Sequence, residues 1–230
     1  GETFAPALDS DIATRVRGML EGEGITVVTG AQVTSFDDAG DHVDIVTGDR
    51  TFAADAVLVP AGRRPATEDL NLAAAGVATD ERGYIIVDDQ LRTNVEGVYA
   101  VGDVNGGPQF TYVSLDDNRV LWDTLHDGPR RRDDRVGVPA TTFLEPPLSQ
   151  VGMTMRQARE SGRSVLVATK DVAAIAAMPR PKIVGQTEGV IRVFVDADDH
   201  TILGATLWCI DSQELGQLVA VAWRGGAGSA

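Results

Sequence analysis

The pair Gly102-Asp103 closes the run Thr93–Val104, which reads TNVEGVYAVGDV. An ionised carboxylate accepts hydrogen bonds and donates none, so at the rim of a sheet it suits a ligand rich in hydroxyl groups. The glycine before it lets the backbone come close to such a ligand. The same pair also fits an aspartate that caps a turn or the next helix, and the local pattern leaves both readings open.

The other groups with chemical potential point to ordinary structure. Cys209 is the single cysteine, which rules out an intrachain disulfide or a cysteine-built metal site. It lies in the apolar run ATLWCID, where a thiol with nothing basic beside it behaves as a small buried hydrophobe. Gly22-Glu23-Gly24 begins like a dinucleotide fingerprint, but a helix precedes it and Val27 stands where the third glycine belongs. Asp196, Asp198 and Asp199 lack the glycine and distant glutamate of a calcium loop and read as a polar hairpin turn. His42, His126 and His200 sit in turn or linker surroundings, and no G-x-S-x-G occurs, so a hydrolase triad has no support.

Two kinds of element must position the candidate residues. In the amino-terminal part, Ile12, Val16, Met19 and Leu20 recur at helical spacing behind Asp9 or Ser10 as N-cap, which predicts an amphipathic helix over Asp9–Glu21. A β-rich run covers Ile25–Val28, and alternation on both sides of Asp38-Ala39-Gly40-Asp41 predicts a hairpin with one wet face. DAVLVPAG reads as a strand buried on both faces; GYIIVDDQLRT and GVYAVGDV read as two more, followed by a helix from Leu115 to Leu125. HDGPRRRDDRVGVP reads as a solvated linker. Beyond it, Thr154 caps a short helix, SVLVATKDV, GVIRVFVDAD and TILGATLW read as strands, and SQELGQLVAVAW reads as a helix, together an α+β module. The tail RGGAGSA has nothing to bury and is expected to be disordered.

The formal charge of -14, from 34 acidic and 20 basic residues, opposes approach to nucleic acid or an anionic membrane. No apolar stretch approaches the roughly 18 residues that span a bilayer. These features predict a soluble, cytoplasmic protein.

TNVEGVYAVGDV, with VLVPAGRRP before it and FTYVSLDDNRV after it, resembles the second flavin-contacting segment of the FAD-dependent pyridine nucleotide-disulfide oxidoreductases, the family of glutathione reductase, lipoamide dehydrogenase and mercuric reductase. FTYVSLDDNRVLWDTL with EPPLSQVGMT is most similar to its reactive-chlorine-resistance reductases. The resemblance implies an α/β flavoprotein portion followed by an α+β interface domain. Residues 1–65 would be the second half of the NAD(P)-binding domain, 66–137 the closing segment of the FAD-binding domain plus linker, and 138–230 the dimerisation domain. It further implies FAD and NAD(P)H as cofactors, a homodimer, and a disulfide, other small molecule or metal ion as electron acceptor.

By position, the resemblance implies that Asp103, reached past Gly102, accepts from the ribityl hydroxyls of FAD. The backbone N–H of Thr111 would meet the pyrimidine oxygen of the flavin, where the positive end of a helix dipole favours negative charge. Gly62 would pass close to the cofactors, with Ala61 where the family usually has Thr. Arg63 is either a cofactor contact or a surface charge, and the carbonyl of Thr141 would receive the nicotinamide amide. The family's two glycine fingerprints, its Cys-x4-Cys redox pair and its His-Glu dyad do not occur. The expectation is therefore the carboxyl-side portion of a longer enzyme, inactive alone, with a catalytically dead dimerisation module as the rival reading.

Overall fold

The computed structural model describes residues 2–226. In chain order the elements are α1 (Ser10–Gly22), β1 (Val33–Asp38), β2 (Val43–Thr47), β3 (Thr51–Ala54), α2 (Thr111–Leu125), β4 (Ala140–Thr142), β5 (Leu148–Gly152), α3 (Met155–Glu160), β6 (Val165–Asp171), α4 (Pro179–Ile183), β7 (Val190–Asp196), β8 (Ile202–Trp208) and α5 (Ser212–Arg224). They divide into two units, one of residues up to 59 together with 137 onward, the other of residues 60–136.

In the first unit, β4–β8 form an antiparallel sheet in the order β4-β5-β8-β7-β6. Side chains alternate across a strand, so β8 serves two cores. Trp208, with Leu148 and Val190, packs on Ile12 and Val16 of α1; Ala205, Leu207 and Cys209 pack with Leu215 and Val219 of α5. Register also aligns Gln150, Thr206, Arg192 and Thr169 across four strands. Arg192 is buried in that row, donates to Thr169 Oγ1 at 2.9 Å and to Asp9 Oδ2 at 2.9 Å, and pairs with Asp11. The hydrogen bond from Arg192 holds the Asp11 carboxyl below its ordinary range, against the opposing effect of burial. Asp9 therefore precedes α1 without capping it: its carboxylate serves Arg192 and the backbone N–H of Met155.

The expected Thr154 cap is present as a capping box with Gln157, and β6, β7, β8 and α5 form where the alternation and spacing place them. The 33–47 hairpin also forms, joined by β3, but β1 is exposed on both faces except at Ser35, and Phe36 is half exposed. Arg224 belongs to α5 and Gly225 and Gly226 bond back to its last turn, so the tail begins later than expected; 227–230 lie outside the described residues.

Four expected strands are corrected. Residues 25–28 and 56–59 carry no ladder, and Leu58 is 88% exposed. In the second unit, GYIIV and GVYAV make only the isolated bridges Thr79↔Ile85 and Arg92↔Tyr99. The physical reason is shared: a strand is defined by a neighbour, and no strand lies beside these runs among the described residues. GYIIV and GVYAV still meet through a small core of Val77, Ile85 and Ala100. Helix α2 starts at Thr111, four residues before the expected Leu115. Among the described residues, no helix is long and apolar enough to cross a membrane.

Candidate functional site

Asp103 stands in a single 3-10 turn, Gly102–Asn105, directly after the extended Val101. It is exposed, and its carboxylate makes no hydrogen bond or ion pair with any described residue. The expected placement at the end of a ladder strand is replaced by this turn, and what fixes the turn comes from α2.

The buried stripe of α2 is Val113, Asp117, Val120 and Thr124, so a carboxylate occupies a position that helical spacing reserves for the core. Asp117 is 1% exposed. Its Oδ2 accepts the backbone N–H of Gly102 at 2.6 Å and Asn105 Nδ2 at 2.8 Å, and its Oδ1 pairs with Arg135. Arg135 also donates to Asp116 at 2.6 Å. Burial alone would lower the pKa of Arg135, but the hydrogen bonds to Asp116 and Asp117 outweigh it and raise it above its ordinary value. Arg135 is thereby a buried anchor within the stretch expected to be solvated linker, which is a second correction: two carboxylates on α2 draw it in. Asn105 donates to the carbonyl of Ala100 at 3.3 Å and accepts from the N–H of Gly107 at 3.0 Å, so the turn is braced on both sides.

Gly102 has φ +74, and a Cβ there would lie 3.2 Å from Ser114 Oγ, so glycine serves both the backbone sign and the close approach to α2. Thr111 opens a helix of 15 residues after Phe110, and its N–H is among the first-turn donors that have no partner inside the helix. Phe110 and Tyr112 stack at 5.1 Å between ring centroids, and burial raises the pKa of Tyr112.

Beside this lies a shallow cleft within the same unit, lined by Gly62, Arg63, Arg82, Tyr84, Gln109 and Phe110 among others. Arg63 donates to Gln109 Oε1 at 3.1 Å, Gln109 donates to the Tyr84 hydroxyl at 3.0 Å, and the Arg82 guanidinium lies 5.2 Å from the Tyr84 ring centre. The structure thus brings Gly62 and Arg63 together with the residues just before Thr111. Gly102 and Asp103 are tied to α2 through Asp117 and Ser114, and neither Asp103 nor Thr111 lines the cleft. Thr141 belongs to the other unit, on the edge strand β4.

The residues present fit the ribityl and pyrimidine end of a flavin: an open carboxylate on a braced turn, and a helix amino terminus a few residues on. Sequence reasoning missed Asp117, Asn105 and Arg135. The available signal was Asp117 on the apolar stripe of α2, where a charge requires partners. Cys209 is buried, its thiol pushed up to about 11 by burial and then by Asp211, which suits a packing role. Among the described residues, no group of histidine, cysteine and acidic side chains could hold a metal.

Residues 1–117 match the family model described as pyridine nucleotide-disulphide oxidoreductase, and residues 138–230 match that family's dimerisation domain. The chain is 42% identical over 224 residues to the probable pyridine nucleotide-disulfide oxidoreductase RclA of Escherichia coli (strain K12), covering 97% of this chain and 50% of that protein. It is 35% identical over 208 residues to a mercuric reductase of Bacillus cereus, covering 89% of this chain and 32% of the relative. The solved Cu(II) complex of the HOCl-induced flavoprotein disulfide reductase RclA from Escherichia coli superposes with a TM-score of 0.94 at 41% identity, covering 99% of this chain and 52% of that one. The chain spans about half the length of the E. coli relative it matches.

Proposed function

The chain belongs to the pyridine nucleotide-disulphide oxidoreductase family, and on that premise we propose that it supplies the ribityl, pyrimidine and dimerisation parts of an FAD-dependent NAD(P)H oxidoreductase. Electrons from NAD(P)H pass through FAD to a disulfide or a metal ion in this reading, and the chain alone is inactive. The bound flavin supplies the capacity to take a hydride and release electrons. The residues of the chain bind and orient it. Asp103 accepts from the ribityl hydroxyls, Gly102 keeps the backbone close, and Asp117 holds the turn. The first N–H groups of α2, with Thr111 leading, favour negative charge on the pyrimidine oxygen. Gly62 and Arg63 line the neighbouring cleft and contribute to cofactor contact, and the carbonyl of Thr141 receives the nicotinamide amide. Residues 1–65, 66–137 and 138–230 divide the work as the sequence suggests. A homodimer through the third segment accords with the exposed Leu218 and Val221 on α5, and the same observation favours the second reading, an inactive dimerisation module.

The observation that carries the proposal is Asp103 itself: an exposed carboxylate without a protein partner, on a turn whose backbone is held from beneath by a buried one. The test is titration of the 15N-labelled chain with FAD. Weak binding is expected, with shifts gathered at the amides of 102–105 and 111–113, and Asp103→Ala weakening it about tenfold through loss of charge-assisted hydrogen bonds. Shifts confined elsewhere, or an unchanged affinity in the variant, would refute the assignment and leave the module reading.

A further inference from the structure

Three hydroxyl groups form a chain in the first unit. Thr141 Oγ1 lies 2.7 Å from Ser149 Oγ, its register partner on β5; Ser149 Oγ lies 3.1 Å from Ser212 Oγ at the start of α5; and Ser212 Oγ lies 2.7 Å from the carbonyl oxygen of Pro147. A carbonyl has no hydrogen, so two oxygens at 2.7 Å require that Ser212 donate to Pro147. The hydrogen of Ser212 is then committed, and its contact with Ser149 requires that Ser149 donate. By the same step Thr141 donates to Ser149. Three contacts and three hydrogens admit one arrangement that leaves no oxygen facing another without a hydrogen. Ser149 and Ser212 are fully buried, so no water reorients the chain from its middle, whereas Thr141 is only partly buried.

We infer that the Thr141 hydroxyl is a polarised, acceptor-only group that selects ligands bringing an N–H donor, and that Ser149 and Ser212 are the positioning residues that set this polarity. Resting on the proposed placement of a nicotinamide at Thr141, the inference names the selective feature: the carboxamide NH2 is accepted by the Thr141 side-chain oxygen, and a ring bearing only a carbonyl substituent is disfavoured. Selection by a group that can accept but not donate is strong because the wrong ligand leaves two acceptors face to face.

The test uses the full chain with a 13C label on the Thr141 methyl group, titrated with nicotinamide mononucleotide and with its 3-acetylpyridine counterpart. The nicotinamide nucleotide is expected to shift that signal saturably and to bind about fivefold to tenfold more tightly than the acetyl analogue, the range of one neutral hydrogen bond. Thr141→Val should weaken the nicotinamide nucleotide by that factor and leave the analogue within about twofold. In Ser212→Ala, Ser149 loses its acceptor and can donate to Thr141 instead, so Thr141 gains a free hydrogen and the preference should fall to near unity. Ser149→Ala should do the same, so the folding of one variant does not decide the matter. A preference unchanged in both serine variants overturns the polarity while the placement stands. No saturable shift at Thr141, with FAD still shifting 102–105, overturns the placement and the inference with it but spares the flavin assignment.

Discussion

Asp117→Asn is the substitution that separates a turn held by a buried charge from one held by local sequence. The change is nearly isosteric, so packing along Val113 and Val120 is kept. Asp117 accepts from three donors, the N–H of Gly102, the Asn105 amide and Arg135, with one oxygen serving the first two and the other serving the third. An asparagine has one acceptor oxygen. Whichever way it turns, its NH2 faces donors, either those of the turn or the guanidinium. Removing one partner of a buried pair costs about 3–5 kcal/mol, and because Arg135 keeps Asp116 the lower end applies, about 3 kcal/mol. At 1.4 kcal/mol for each factor of ten, the amide of Gly102 should exchange with solvent about 100-fold faster in the variant. Asp116→Asn, which removes only the second partner of Arg135, should raise that rate about tenfold or less. The assay is amide hydrogen exchange followed by NMR, with the 190–208 strand amides of the other unit as internal reference. Exchange at Gly102 within threefold of the parent in Asp117→Asn would show that the turn holds its shape without the buried carboxylate, and the account of how Asp103 is positioned would fail.

Two further outcomes follow from the first unit. The Cys209 thiol stands at about 11 in the fold and at about 8.5 in the unfolded chain. Between those values the unfolded chain has released a proton that the folded chain keeps, so stability is unaffected below the window and falls as pH rises through it, by about 3 kcal/mol near pH 11. Urea midpoints measured from pH 8 to 11 should fall more steeply for the parent than for Cys209→Ala, and identical slopes would show that the thiol is not shielded. At Gly189, φ is +114 and an added Cβ would lie 1.9 Å from the Trp208 carbonyl oxygen, so Gly189→Ala should cost about 2–5 kcal/mol. A thermal midpoint within about 1 °C of the parent would refute the close approach of β7 to β8 at that point.

What was legible in the sequence follows a physical division. The carboxyl-terminal module could be read because each of its strands carries its own partner nearby: β7 and β8 join through a short turn, and β6 pairs with β7 along its whole length. Alternation in such segments reports a face that is buried by residues also present in the sequence. VLV at 57–59 and YIIV at 84–87 carry the same apolar signal, yet apolarity states a need for burial and does not supply the neighbour that meets it. Leu58 is exposed for that reason, and the Ile85 backbone N–H donates to the carbonyl of Val104 without a ladder forming.

The site divides in the same way. Gly102 and Asp103 were visible as a local pattern, but local pattern left a ligand and a turn cap equally open, and the structure shows that Asp103 does stand in a turn while capping nothing. The residue that gives this turn its shape is fifteen positions away from Gly102 on the helix stripe. Its partner Arg135 lies eighteen further on, in a stretch whose mixed charges read as solvated. A composition rule averages over a charge run and cannot single out the one arginine that two helix carboxylates withdraw from water. Pairing demand can: a carboxylate at an apolar helical position must find donors. The demand is met by a backbone N–H, an amide and a guanidinium from separate segments, so the positioning of Asp103 is a tertiary property carried by residues with no ligand contact of their own.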